Sequence, residues 1–507
     1  MKTITIDAQR PGTRIEPFWN RVICSDRTGL SMRQDVREQI ALAVKGCGFR
    51  NLRQHGMFHD DMFVWQAKDK PCHFSYLDYV YDFYLSLGLR PFVELGFSPA
   101  GLASNDNTVF AARCHGCPPS DIQEWQRLVR ATIRHLQDRY GVEETRTWYY
   151  EVWNEPNIPC FFKAPQEQYF DLYRATVETV KSVDSRLRIG GPATSNFSPD
   201  EKGVFQPPWV HAFLDYCQKH QVPVDFVSSH PYPTNFPFMP ELNDYGPEGR
   251  EADATPVDLA HLRKMVRTSA FSKAEIHCNE WSSAPGWPMH VHDHPFAGTF
   301  ILDNNLKSIG LVDSLAHWAL SDISEEAAPA DTGEFKGGWG LLTQNGIKKP
   351  SFHAYAFLNR MTGTMLHNSD GMAVCNCGKT WRVLLYNHHH YATQKATWST
   401  MAEAEQMIGP GQTREFALTL HNLPENVRVR RSLVDRDHGW ARPAWVEVGS
   451  PAYPNQKQCQ VLRDAQEPEI REQVIQGRNP LELRETLQPL GMMLIEIEEA
   501  GGPQIAP

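Results

Sequence analysis

Residues 148–156 read WYYEVWNEP. An apolar run this short reads as a buried parallel strand, and Pro156 stops it directly after Asn154-Glu155, fixing how that side chain leaves the strand. Similar runs begin upstream near Trp19 (WNRVICSD), Phe49 (FRNLRQHG) and Arg90 (RPFVELGF). Four more follow near Arg188 (RIGGPAT), Asp225 (DFVSSHPYP), Ala274 (AEIHCNEW) and Leu315 (LAHWALSD). Helical stretches separate them. In residues 121–139, Ile122, Trp125, Leu128, Val129, Thr132, Ile133 and Leu136 follow the helical period, with Asp121 placed to sit at the N-terminus. Eight strands alternating with helices predict an α/β fold of the (β/α)8 TIM-barrel type, and the polar strand ends suit a barrel whose C-terminal face carries chemistry. A doubly wound sheet is the weaker alternative, because the sequence lacks an early Gly-rich phosphate loop.

The rhythm changes after Lys349-Pro350. The stretch SFHAYAFLNRM (351–361) predicts a last helix with Phe352, Tyr355, Ala356 and Leu358 turned inward. From about 372 the runs are strand-like: MAVCNC, WRVLLYNH, EFALTLHNL, NVRVRRSLV and LGMMLIEIEE. These predict an accessory C-terminal β-sandwich. The division expected is a barrel over 14–361 and a sandwich over 362–507, joined by an N-terminal strand within 1–13, where KTITID alternates.

The balance of 50 Lys+Arg against 60 Asp+Glu leaves a net charge of −10, which argues against a nucleic-acid or anionic-membrane partner. No run approaches a membrane span, and residues 1–25 lack the apolar stretch of a secretory signal, so a cytoplasmic protein is expected. The 11 cysteines are scattered, as reduced, buried thiols would be. Cys114-His-Gly-Cys117 has zinc-like spacing, and Cys375 and Cys377 form a second close pair. Neither has a matching pair at a zinc distance, so both read as structural. Aromatic residues make up 11%, a hint of sugar binding that suits a core equally well.

Two glutamates end strands: Glu155 the fourth, and Glu280, in Asn279-Glu280-Trp281, the seventh. Three βα units bring these strands to face each other across a barrel mouth. That geometry can set two carboxyl groups about 5–5.5 Å apart, the separation for glycoside cleavage with retention of configuration. An isolated Glu more often caps a helix or pairs with a base, but these two stand at strand ends beside aromatic and amide side chains.

With WNEPN at 153–157 the chain resembles the retaining (β/α)8 glycosidases. LRQHGMFHDD (52–61), VELGFSPAGLAS (93–104), HPYP (230–233), HWALSDISEE (317–326), GGWGLLTQNGIKKPSFHAYAFLN (337–359) and VDRDHGWARPAWVEVGSP (434–451) make it similar to glycoside hydrolase family 39 over nearly its whole length. The known members are chiefly β-xylosidases and α-L-iduronidases. The resemblance implies Glu155 as acid/base and Glu280 as nucleophile. Asn154 would bond the sugar 2-hydroxyl, His55, Glu325 and Glu326 the other hydroxyls. His230 and Tyr232 would flank the nucleophile, Tyr232 lowering its pKa, and Trp318 would offer a ring face. Glu155 should have a raised pKa, most simply from the charge of Glu280. No metal or organic cofactor is implied.

An iduronidase must hold a sugar carboxylate, which Glu325-Glu326 would repel, so a neutral glycoside is expected and the family's commonest activity makes it a xylo-oligosaccharide cleaved exo-wise. An endo-acting or other-sugar glycosidase, and a non-catalytic carbohydrate-binding barrel, are the alternatives; a homo-oligomer is compatible with all of these readings. His290, His292 and His294 read as a loop with pH-dependent charge rather than a metal cluster, and His388-His389-His390 as a solvated turn.

Overall fold

The computed structural model describes residues 3–195, 209–235, 248–326, 333–369, 371–392 and 400–500. Eight parallel strands lie in chain order in one sheet: β1 (Val22–Cys24), β2 (Asn51–Gln54), β3 (Arg90–Leu95), β4 (Tyr149–Val152), β5 (Arg188–Ser195), β6 (Phe226–His230), β7 (Glu275–Trp281) and β8 (Ser314–His317). The amide of Leu320, just past β8, donates to the carbonyl of Cys24 at 2.8 Å and brings the two edges together as a barrel. Every run read as a barrel strand is one. At Gly190 a Cβ would stand 2.2 Å from the Phe226 carbonyl, so only glycine lets β5 lie this close to β6.

The intervening helices are α1 (Gln34–Cys47), α2 (Ser75–Ser86), α3 (Ile122–Tyr140), α4 (Gln166–Val183), α5 (Trp209–His220), α6 (Ala254–Thr268), α7 (Pro295–Lys307) and α8 (Pro350–Arg360). Asp121 caps α3 by accepting from the amides of Gln123 and Glu124 at 3.0 and 3.2 Å. Trp125, Leu128, Val129, Thr132, Ile133 and Leu136 are buried as the periodicity predicts, whereas Ile122, the first residue of the helix, is exposed. In α8 Phe352, Tyr355 and Leu358 are buried and Ala356 is half-buried at the edge of the packed stripe. No described helix is long and apolar enough to cross a membrane.

The C-terminal strands are β9 (Thr364–Ser369), β10 (Met372–Asn376), β11 (Thr380–Tyr386), β12 (Arg414–His421), β13 (Asn426–Val434), β14 (Glu469–Gln476), β15 (Leu481–Leu487) and β16 (Met492–Glu499). A large sheet runs Thr13–Arg14, β9, β10, β11, β16, β13, β14; a small one runs Ile4–Asp7, β12, β15, the N-terminal strand pairing parallel with β12. Alternate residues explain why the central strands β10, β11 and β16 of the large sheet bury apolar side chains on both faces. Val374, Val383, Ile495 and Ile497 face the small sheet, while Ala373, Cys375, Leu384, Met492 and Leu494 join the barrel's core. Helix α7 lies at this junction and is buried from Pro295 to Leu306.

Among the histidines set aside above, His292 bonds the carbonyls of Ala284 and Gly337, and His294 bonds Glu405. Burial drives His292 down to about 4 and lowers His290 and His294, so this loop does not gain its charge near neutral pH as expected. The turn 388–390 is half-buried at the junction, His388 against Phe296, rather than solvated. Cys114, Cys117, Cys375 and Cys377 are all free thiols.

Candidate active site

The turn after β4 aims the first glutamate. Trp153 and Glu155 have φ of 71° and 44°, a conformation held by tertiary bonds: the Trp153 amide donates to Leu95 O at 3.1 Å and that of Glu155 to Ala193 O at 2.9 Å. Glu280 ends β7 across the mouth. One carboxylate oxygen of each and a ring nitrogen of His230 lie within 4.8 Å of one another. His230 Nδ1 is 2.9 Å from Glu155 Oε1 and 3.7 Å from Glu280 Oε2, and the Tyr232 hydroxyl donates to Glu280 Oε1 at 2.9 Å.

Beneath them lies a residue that the sequence reading missed. Arg53, on β2, is buried; it donates to Glu151 at 2.7 Å, Asn154 Oδ1 at 2.8 Å and Glu280 Oε2 at 3.3 Å, and its guanidinium lies 3.0 Å from Glu94 Oε2 as an ion pair. Glu151 also accepts from Ser228 Oγ and Asn279 Nδ2, each at 2.6 Å. The signal was available: Arg53, Glu94 and Glu151 interrupt apolar barrel strands, and buried charges of opposite sign must find one another.

Burial raises Glu155 to about 7, with Ser195 and the charge of Arg53 opposing it. The direction is the expected one, but the cause is desolvation rather than repulsion from Glu280. Glu280 is raised by burial as well, and the Tyr232 hydrogen bond that was expected to lower it only partly offsets this, together with Arg53. His230 is driven by burial to about 4 and is neutral at pH 7.

A second group gathers where β1, β2 and β8 end. His55 Nε2 lies 3.0 Å from Glu326 and 3.4 Å from Asp26, and Asp26 accepts from Ser324 Oγ and the amide of Glu325, each at 2.5 Å. Burial works against protonation of His55, but Asp26 and Glu326 raise it well above its ordinary value, while burial lifts Glu326 to about 8. Phe97 and Phe110 stand 5.9 and 5.2 Å from the His55 ring. Glu325 does not join this group. Its carboxylate takes Arg27 Nε and Nη2 at 2.8 and 2.6 Å on the outer side, where Arg27 also holds Asp61. Trp318 is buried, 6.3 Å from Trp339, whose ring in turn lies 5.1 Å from Trp287.

Asp26–His55–Glu326 and Glu155–His230–Glu280 both have donor spacing that could hold a cation. A protonated His55 in the first and the Arg53 guanidinium beside the second oppose one. What the arrangement can do is separate two carboxyl groups chemically: one kept protonated by burial near neutral pH, the other facing it with a guanidinium and a phenol at its oxygens.

The sequence matches the model for "Glycosyl hydrolases family 39" over residues 2–479. It is 32% identical over 492 residues to a β-xylosidase of Geobacillus stearothermophilus, covering 95% of this chain and 92% of that one. It is 22% identical over 513 residues to the α-L-iduronidase of Mus musculus, covering 92% of this chain and 76% of that one. The fold superposes on the crystal structure of a monomeric β-xylosidase from Caulobacter crescentus CB15 with a TM-score of 0.88 at 30% identity, covering 99% and 100% of the two chains.

Proposed function

The chain belongs to glycosyl hydrolases family 39, and from that premise we propose that it is an exo-acting β-xylosidase that releases xylose from xylo-oligosaccharides by double displacement. The observation that supports the mechanism is the close approach of Glu155 and Glu280, one oxygen of each lying within 4.8 Å of the other, nearer the spacing of a retaining pair than the wider one an inverting pair needs to admit water. Glu280 Oε attacks the anomeric carbon as the bond to the leaving oxygen breaks, and Glu155 gives that oxygen its proton. Water then attacks the glycosyl ester, Glu155 takes the proton, and Glu280 is regenerated. Asn154, held by Arg53, is placed for the 2-hydroxyl, where hydrogen bonding strengthens as positive charge develops on the ring. His55 and Glu326 take the remaining hydroxyls, His230 and Tyr232 orient the two carboxyl groups, and Trp318 forms part of the aromatic wall. Glu325 acts from behind, through Arg27.

A neutral sugar is supported by the commitments of the nearby cations. Arg27 is tied to Asp61 and Glu325, Arg53 to Glu94, Glu151 and Glu280, and the protonated His55 to Asp26 and Glu326, so each nearby cation already has its carboxylate partners. Exo action is supported by the two layers behind the sugar, Asp26–His55–Glu326 inside and Arg27–Asp61–Glu325 outside. We assign residues 14–361 to the barrel and 362–507, with strand 1–13, to the accessory sandwich; the pairing of Ile4–Asp7 with β12 supports this division.

Aryl β-xyloside, β-glucoside, α-L-arabinoside and α-L-iduronide distinguish the substrates. Turnover of the xyloside is expected to dominate, to be lost in Glu280→Ala, and to return partly in Glu155→Ala when the leaving group is activated or azide is supplied. Turnover of the iduronide alone would overturn the choice of sugar, and undiminished activity in Glu280→Ala the assignment of the nucleophile.

A further inference from the structure

In the segments that follow β1 and β8, two pairs of adjacent residues divide between the inside and the outside of the mouth. Asp26 and Glu326 turn inward to His55, whereas Arg27 and Glu325 turn outward to each other. Outside this double wall the rim holds a separate cavity of about 400 Å³, within the size range of small-ligand clefts. It is lined by Arg33 and Asp35 from the start of α1, Glu325 after β8, Gln344 and Asn345 from the turn before α8, and Tyr453 from the C-terminal region.

Its charges are already matched. Arg33 donates to Asp35 at 3.0 and 2.6 Å, and Glu325 is bound by Arg27. The Asn345 side-chain amide donates to Glu334 at 2.7 Å, and Gln39 holds the Gln344 carbonyl at 3.0 Å, so the lining is fixed in place. What remains for a ligand is amide and hydroxyl hydrogen bonding plus the Tyr453 ring, 75% exposed. The backbone on either side of that ring is anchored. Trp445 Nε1 donates to Pro451 O at 2.9 Å on one side, and Asn455 caps the following helix, Gln456–Ala465, on the other. A compensated charge set beside a flat, exposed aromatic ring suits a neutral polyhydroxylated ligand and disfavours an ion.

We propose that this rim cavity is a second saccharide-binding site, formed jointly by barrel and accessory domain, which holds a neutral glycan chain outside the catalytic pocket. That it is xylan in particular rests on the function proposed above. The site keeps polymer at the mouth while the double wall keeps it from threading through.

The test uses the full-length Glu280→Gln protein, mixed with insoluble xylan, cellulose and mannan, with free xylose present to occupy the catalytic pocket. Depletion by xylan is expected, falling about fivefold in affinity when Tyr453→Ala is added, and likewise with Asn345→Ala. In the active enzyme Tyr453→Ala is expected to raise KM for xylohexaose by a similar factor while aryl β-xyloside kinetics stay unchanged. Binding to none of the three polymers, or binding that both substitutions leave intact, would overturn the site. Tyr453-dependent binding to cellulose or mannan would keep the site and change its sugar. A wild-type enzyme silent on the aryl xyloside would refute the xylosidase reading alone, because the depletion assay requires no turnover.

Discussion

Glu155 is the residue proposed as the acid/base. In that role its carboxyl group must be protonated to assist departure of the leaving group, and burial raises its pKa to about 7. On an alkyl xyloside, kcat/KM is therefore expected to fall about tenfold per pH unit above that value. With a dinitrophenyl leaving group, which departs without a proton, the alkaline limb should flatten. An identical limb for both substrates would show that some other group titrates. On the acid side Glu280, as the proposed nucleophile, must ionise, and Arg53 and Tyr232 oppose the burial that hinders this. Glu155 and Glu280 were legible in the sequence as glutamates that end strands, whereas Asn154, His230 and Tyr232 were singled out only through the family resemblance. Arg53 was not legible, because its meaning depends on three carboxylates from β3, β4 and β7 that only folding places around it.

The connections after β7 and β8 are held to each other by one buried cation. Lys349, at the start of α8, lies 2.6 Å from both Asp293 and Asp322 and donates to the Gly338 carbonyl at 2.9 Å. The two carboxylates accept in turn from the amides of Gly337 and Gly340, at 2.6 and 2.7 Å. This fixes the loop that carries Trp339, whose carbonyl accepts from His317 Nε2 at 2.9 Å. Lys349→Met would leave two carboxylates buried without their cation, a loss of about 3–5 kcal/mol. A lowered urea midpoint with an unchanged m-value would register it; a midpoint within error of wild type would contradict the role given to Lys349. The elements themselves were well marked: all eight barrel strands and α3 lie where their periodicity puts them. The strands β9, β14 and β15 escaped notice; β14 is mostly exposed and charged and acquires its conformation from pairing with β13.

At the scale of the whole molecule, barrel and sandwich share an interior. The inner face of the large sheet contributes Leu384, Met492 and Leu494 to the barrel's core, Trp440 Nε1 donates to Asp293 O at 2.7 Å, and His353 bonds the Gln466 carbonyl at 2.8 Å. Glu405 joins His294 to Arg436, which donates to both its oxygens at 2.8 Å, across the same junction. The chain is thus expected to unfold in one calorimetric transition, and removal of residues 362–507 to leave an insoluble barrel with an exposed apolar face. Two well-separated transitions would show that the shared core is weaker than its burial implies. Hydrophobic period and strand-end motifs are local properties, so the barrel, the accessory sheets and the pair of glutamates could be read along the chain. Pocket walls, the buried guanidinium, the cause of each pKa shift and the rim cavity depend on residues far apart in sequence meeting in a medium of low polarity. Those contacts exist only once the strands have closed, and the chain order carries no record of the distances between them.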